Sequence, residues 1–164
     1  MSAAEPGGIE LLRARVAEQA ASAFVDASVQ PGRTGVGMVL RGRGGELLGW
    51  AAQALPVMTN NEAEYAALVF GLEQAQRLRV RSLRIYSDSR VVVEQMRGEI
   101  DVRNAALRRW HGRAQRAARG FEQVVYVYVP RELNQLADAL ADDVLHRIEL
   151  VRLIGGGQKF LRDA

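Results

Sequence analysis

Thr59-Asn60-Asn61-Glu62-Ala63-Glu64-Tyr65 joins two patterns that do not belong to one element. Before it, residues 47–55 form an apolar run broken by Gly49 and Gln53, of the length of a strand. After it, a helical pattern opens and continues to about Leu78. Thr59 followed three positions later by Glu62 is a capping box, which satisfies free backbone N–H groups at a helix start. That arrangement accounts for Thr59 and Glu62 and leaves Glu64 unexplained. Leu68 and Gly71 lie four and seven positions beyond Glu64, so it shares a face with apolar and small residues. A carboxylate on an inward face is costly unless it is paired or bound to a cation, and the chain offers no nearby base.

Upstream, residues 23–28, 36–40 and 46–55 read as three strands, separated by Pro31-Gly32 and by the glycine-rich turn 42–45. Short turns between consecutive strands imply an antiparallel meander. Downstream of the helix at 60–78, residues 82–87 alternate Leu83 and Ile85 with Arg84 and Tyr86, a fourth strand. Residues 89–96 read as a short helix ended by Gly98, 104–118 as a helix stopped by Gly120, and 124–129 as a fifth strand broken by Pro130. A last helix is expected from Leu133 to about Leu150. Residues 9–20 also have helical spacing. The order β-β-β-α-β-α-α-β-α implies an α/β fold, a mixed five-stranded sheet with helices packed on it. Residues 1–21 read as an N-terminal extension with a short helix, 22–150 as the domain, and 151–164 as a tail.

Composition narrows the classes. A chain of 164 residues with 48% hydrophobic and 25% charged residues is expected to form one soluble domain with its own core. The lack of cysteine excludes disulfides and thiolate metal sites and fits a reducing, cytoplasmic setting. No apolar run approaches the ~20 residues of a membrane span. Residues 1–8 carry no basic segment leading into an apolar one, so no secretory signal is expected. The net charge of +3 is unevenly placed. Residues 102–121 contain no acid but hold Arg103, Arg108, Arg109, Arg113, Arg116 and Arg119, the pattern of a surface that faces phosphates. Trp110, within this block, reads as a core anchor, with Leu107 and Ala114 at helical spacing.

Four carboxylates fall within or at the ends of these elements. Asp26 lies inside the first strand, either at an edge or facing a site. Asp88 follows the fourth strand in Ser87-Asp88-Ser89, where any of the three could cap a helix. Asp138 lies one turn after Asn134 on the last helix and reads as either a solvated position or a ligand. Glu64 completes the set. Strand ends and helix starts can converge on one edge of such a sheet, and acids gathered there repel unless cations neutralise them. Oxygen-only ligands favour Mg²⁺ or Mn²⁺ over Zn²⁺. His111 and His146 sit on different helices and read as surface residues, as do Glu132, Asp142 and Asp143.

From residue 24 to 145 the chain resembles type 1 ribonuclease H, most closely the bacterial and archaeal branch that lacks long insertions. The resemblance rests on Val25-Asp26-Ala27-Ser28 with Pro31-Gly32 and Gly35-Val36-Gly37, on Thr59 to Tyr65 with Ala67-Leu68 and Gly71-Leu72-Glu73, on Ser87-Asp88-Ser89, and on Val129-Pro130-Arg131-Glu132 with Asn134 and Ala137-Asp138. It implies the ribonuclease H-like fold. It also implies that Asp26, Glu64, Asp88 and Asp138 are catalytic and hold two divalent cations, Mg²⁺ or Mn²⁺. The implied reaction is hydrolysis of the RNA strand of an RNA–DNA hybrid, leaving 5′-phosphate and 3′-hydroxyl ends. Ala27 and Ser28 are implied to contact ribose hydroxyls, Thr59, Asn60 and Asn61 to bind the DNA strand, and Ser89 and Asn134 to face substrate. The basic block adds Arg108 and Arg109 as phosphate contacts, and the resemblance offers a second reading of Trp110, since some members grip the DNA strand with a basic, Trp-bearing segment in this part of the chain.

Two departures stand out. Ala27 replaces a glycine common in the family, and the loop before the last helix has no histidine. Arg131 or Glu132 is expected to take that histidine's part in product release. A monomer is expected, with a dimer as the alternative. The rival readings are a catalytically inactive nucleic-acid-binding module of the same fold and a DNA-cutting nuclease of the wider superfamily.

Overall fold

The computed structural model describes residues 20–146. Residues 9–19 of the helix expected at 9–20, residues 147–150 of the expected last helix and the tail at 151–164 lie outside them. Five strands, β1 (Ala21–Gln30), β2 (Arg33–Arg41), β3 (Leu47–Pro56), β4 (Ser82–Ser87) and β5 (Gln123–Tyr128), form one sheet in the order β3-β2-β1-β4-β5. The first three make the expected meander, with β1–β2 and β2–β3 antiparallel. Strand β4 joins β1 in parallel and β5 joins β4 in parallel, so β1 is central. Four α-helices complete the described chain: α1 (Asn60–Arg77), α2 (Arg90–Met96), α3 (Ala105–Ala118) and α4 (Gln135–His146). The mixed α/β sheet is the one the sequence implies.

Helix α1 covers one face. Its buried residues include Ala67, Leu68, Phe70 and Leu72, which share one core cluster with Ala23, Val25 and Ile85 of the sheet. Gly71 permits the closest approach, because a Cβ there would meet Val25 Cγ1 at 2.5 Å. The helix ends as a Schellman motif: Val80 N–H donates to Ala75 O at 3.2 Å and Arg79 N–H to Gln76 O at 2.9 Å, with Arg79 left-handed at φ 60°. Helix α3 packs on α1 through Leu107, Trp110, Ala114 and Ala117.

Helix α4 lies on the opposite face across β2, β1 and β3. A Cβ on Gly37 would stand 2.5 Å from Ala137 O, and one on Gly35 would collide with Ala141 O. These two glycines therefore set how closely α4, and Asp138 with it, approaches the sheet. Gly35→Ala is expected to cost about 3 kcal/mol, the range of an overpacked core, read as a lower urea midpoint. A midpoint unchanged from wild type would contradict this packing.

Several boundaries move. Strand β1 extends at both ends, because its pairing with β4 begins at Ala21↔Leu83 and its pairing with β2 continues to Gln30↔Arg33 around the Pro31-Gly32 turn, where Gly32 has φ 84°. The last helix begins at Gln135, not Leu133, because Arg131–Leu133 forms a separate 3-10 turn after Pro130.

Candidate active site

The parallel pairing of β1 with β4 ends at Val25↔Ser87. One residue further, Asp26 and Asp88 leave the ladder at the same level. Glu64 arrives from the start of α1 on an inward face with Leu68 and Gly71, as its spacing predicts. Oxygens of Asp26, Glu64 and Asp88 lie within 4.8 Å of one another. Asp138, in the first turn of α4, stands outside that set. It is still near enough for its charge to act on all three.

Asp26 is only 3% exposed, in the middle strand and not at an edge. Asp88 is not a helix cap: the Ser89 hydroxyl accepts from Val92 N–H at 3.4 Å and caps α2 instead. Asp88 is thus left to the cluster.

Burial and mutual repulsion work against ionisation here. Burial, then the Asp88 charge, pushes Asp26 up to about 7, although Ala27 N–H donates to its Oδ1 at 2.9 Å and pulls the other way. Glu64 is pushed up to about 9, by burial first and then by the charges of Asp26 and Asp88. Asp88 is raised by burial and by Asp138. The opposing positive charge comes from Arg131 in the 3-10 turn, which favours ionised Glu64 and Asp88. Glu64 Oε2 is buried with no hydrogen-bond partner among the described residues. An oxygen-only donor set with such an orphaned atom fits a hard divalent cation.

The expected substrate contacts divide. Asn60 and Asn61 are exposed at the start of α1, and Arg109, Arg131 and Glu132 are exposed. Ser28 is tied inward: its hydroxyl donates to Asp142 Oδ1 at 3.2 Å, where Gln30 Nε2 also donates at 3.4 Å. Asn134 is buried, and its Nδ2–H donates to Val25 O at 2.8 Å. It anchors the start of α4 to β1 beside Asp26 and presents no surface to a substrate. Arg108 Nε–H donates to Val102 O at 2.9 Å.

Other expectations change as well. Arg113 pairs with Glu73 at 3.4 Å, although no acid is near it in sequence. His111 is half-buried, with Nε2 3.3 Å from Gln95 O and its ring edge-on to buried Tyr65 at 6.3 Å. Asp142, read as a solvated acid, holds Ser28. Its place four residues after Asp138, on the same helix face, is the signal that was available. His146 is exposed, as read, and lies 3.7 Å from Asp142. Glu62 sends its carboxylate to the Thr59 hydroxyl at 3.0 Å and to Trp110 Nε1–H at 3.3 Å, not to the Thr59 backbone.

The chain is similar to known proteins over this region. A family described as reverse transcriptase-like matches residues 24–144. Ribonuclease HI of Halobacterium salinarum is 36% identical over 115 residues, covering 70% of this chain. A bifunctional protein of Mycobacterium tuberculosis is 37% identical over 116 residues, again 70% of this chain. The chain spans 58% and 32% of the lengths of those two relatives. Among solved structures, RNase H1 of Halobacterium salinarum superposes with a TM-score of 0.75 at 32% identity, covering 77% of this chain and 98% of that one. LC11-RNase H1, solved in complex with an RNA/DNA hybrid, superposes with a TM-score of 0.70 at 26% identity, covering 76% and 99%.

Proposed function

The chain belongs to the type 1 ribonuclease H family, and from that premise we propose that it hydrolyses the RNA strand of RNA–DNA hybrids, leaving 5′-phosphate and 3′-hydroxyl ends. One observation carries the reading: three carboxylates from β1, α1 and the end of β4 converge within 4.8 Å, with Asp138 of α4 beside them. A cluster so costly to ionise has no structural use that a neutral side chain would not serve better.

In this reading Asp26, Glu64, Asp88 and Asp138 hold two divalent cations, Mg²⁺ or Mn²⁺. Those cations, when bound, lower the pKa of the attacking water and neutralise the leaving 3′ oxygen. The chain's own residues do the rest. The carboxylates fix the site and need supply no nucleophile. The backbone at Ala27 and Ser28 faces the ribose hydroxyls, which distinguish RNA from DNA where an A-form groove hides base identity. Residues 59–61 and Arg109 take the DNA strand. Arg131 offsets the acids' charge and, with Glu132, lies where product leaves. Action by a cytoplasmic monomer, through the domain at 22–150, accompanies this reading.

The test is an incubation with labelled RNA–DNA hybrid, double-stranded RNA and double-stranded DNA in Mg²⁺ or Mn²⁺. Cutting confined to the RNA of the hybrid is the expected result. Binding without cutting points to an inactive module, and cleavage of DNA to another nuclease class; either outcome overturns the proposal.

A further inference from the structure

Helix α3 and the N-terminal end of α1 are joined by one carboxylate. The Trp110 ring packs against the core at the junction of α1 and α3, and its Nε1–H donates to Glu62 Oε2 at 3.3 Å. The other oxygen, Oε1, accepts from the Thr59 hydroxyl at 3.0 Å, while Thr59 Oγ1 accepts from Glu62 N–H at 3.3 Å. A capping box would turn Glu62 back to the Thr59 backbone N–H. Here the carboxylate reaches across to another helix instead. An indole N–H turned inward needs an acceptor, and an ionised one makes the stronger bond. Arg113, one turn along α3, lies 5.2 Å from the Trp110 ring centre and is itself held by Glu73 at 3.4 Å.

One consequence falls on Thr59. With its proton given to Glu62, its hydroxyl cannot donate to a phosphate. DNA-strand contacts at this helix start are left to the Thr59 backbone and to Asn60 and Asn61, both exposed. Their placement depends on the conformation that Thr59 keeps. Arg109, the exposed neighbour of Trp110, lies on the helix that this bond ties to the start of α1.

We propose that Trp110 is a positioning residue for the DNA strand: through Glu62 it holds the start of α1 at residues 59–61 in register with Arg109 on α3. This rests on the hybrid-directed reading above. Trp110→Phe keeps an aromatic ring in the core and removes the donor. The dissociation constant for a dye-labelled hybrid, measured without divalent cation, is expected to rise about threefold to tenfold, the worth of one partly exposed charge-assisted hydrogen bond. In Mg²⁺, KM rises by the same factor while kcat stays level.

Two further variants separate positioning from loss of packing. Leu107→Ala loosens the same helix contact without touching the bond, and is expected to lower the thermal midpoint and leave hybrid affinity unchanged. In a Glu62→Ala background, Trp110→Phe should have no additional effect on affinity, since its partner is gone. Unchanged affinity in Trp110→Phe overturns the inference, as does an effect that persists in full without Glu62. A wild-type protein that binds hybrid but does not cut it defeats the nuclease reading alone, because the affinity readout needs no cleavage. One that does not bind hybrid defeats both.

Discussion

Asp26→Asn is expected to lower the rate of RNA-strand cleavage by at least about a thousandfold, the scale on which removal of an essential catalytic group is felt, while raising the thermal midpoint in divalent-free buffer at pH 8. Both effects come from one position. Asp26 lies on the central strand, 3% exposed, and shares with Asp88 the level at which the β1–β4 ladder ends. Asparagine has nearly the same shape, so the packing around Val25 and the Asn134 bond to the Val25 carbonyl survive. It loses the charge that a divalent cation requires of an oxygen donor. It also loses the charge whose burial beside Asp88 and Asp138 is unfavourable, so the protein without metal gains stability. Initial rates on labelled hybrid and a thermal melt of the same preparation test the two halves together. Turnover within tenfold of wild type would remove Asp26 from the catalytic set. Lost turnover with a lower midpoint would mean that asparagine merely damages the fold.

That opposition between activity and stability is why the site was legible in the chain. Asp26 interrupts an apolar strand, and Glu64 falls on the face of Leu68 and Gly71. Each breaks a local pattern, and such breaks are expected at functional positions. The sheet was legible for a similar reason: the Pro31-Gly32 turn and the glycines at 42–45 punctuate strands whose periodicity is local. Asp88 was harder, because Ser87-Asp88-Ser89 offers three side chains able to cap α2, and only the folded backbone decides that Ser89 does so. The start of α4 was misplaced because the residues after Pro130 suit a 3-10 turn as well as a helix. Pairs distant in sequence left no trace in any local window: Trp110 with Glu62 across 48 residues, Arg113 with Glu73 across 40, Ser28 with Asp142 across 114. A basic block without nearby acids predicts a free cationic face, yet its Arg113 is already engaged by an acid from α1. The role of Gly35 and Gly37 likewise emerges only when α4 crosses them.

In divalent-free buffer the thermal midpoint is expected to fall by about 5 °C or more as the pH rises from about 5.5 to 9, and added Mg²⁺ should restore it at the alkaline end. The direction follows from the raised carboxyls. Folded, Asp26 titrates at about 7 and Glu64 at about 9, whereas both titrate near pH 4 in the unfolded chain. Between these values the folded protein holds protons that the unfolded chain has released, so stability decreases with increasing pH. The contribution is complete below about pH 4 and is lost as the pH climbs through 7 and then 9. Ordinary carboxylates act in the opposite sense, but they are spent below about pH 5, which leaves the window above to the cluster. A divalent cation binds the ionised cluster and competes with its protons. Its stabilising effect should therefore be small at pH 5.5 and largest at pH 9. Asp26→Asn removes one titrating group and reduces the repulsion on Glu64, so it should flatten the divalent-free profile and weaken the response to Mg²⁺. A wild-type midpoint that instead rises with pH in divalent-free buffer would mean that the three carboxylates are already ionised in the folded chain, and the strain assigned to them would have to be abandoned.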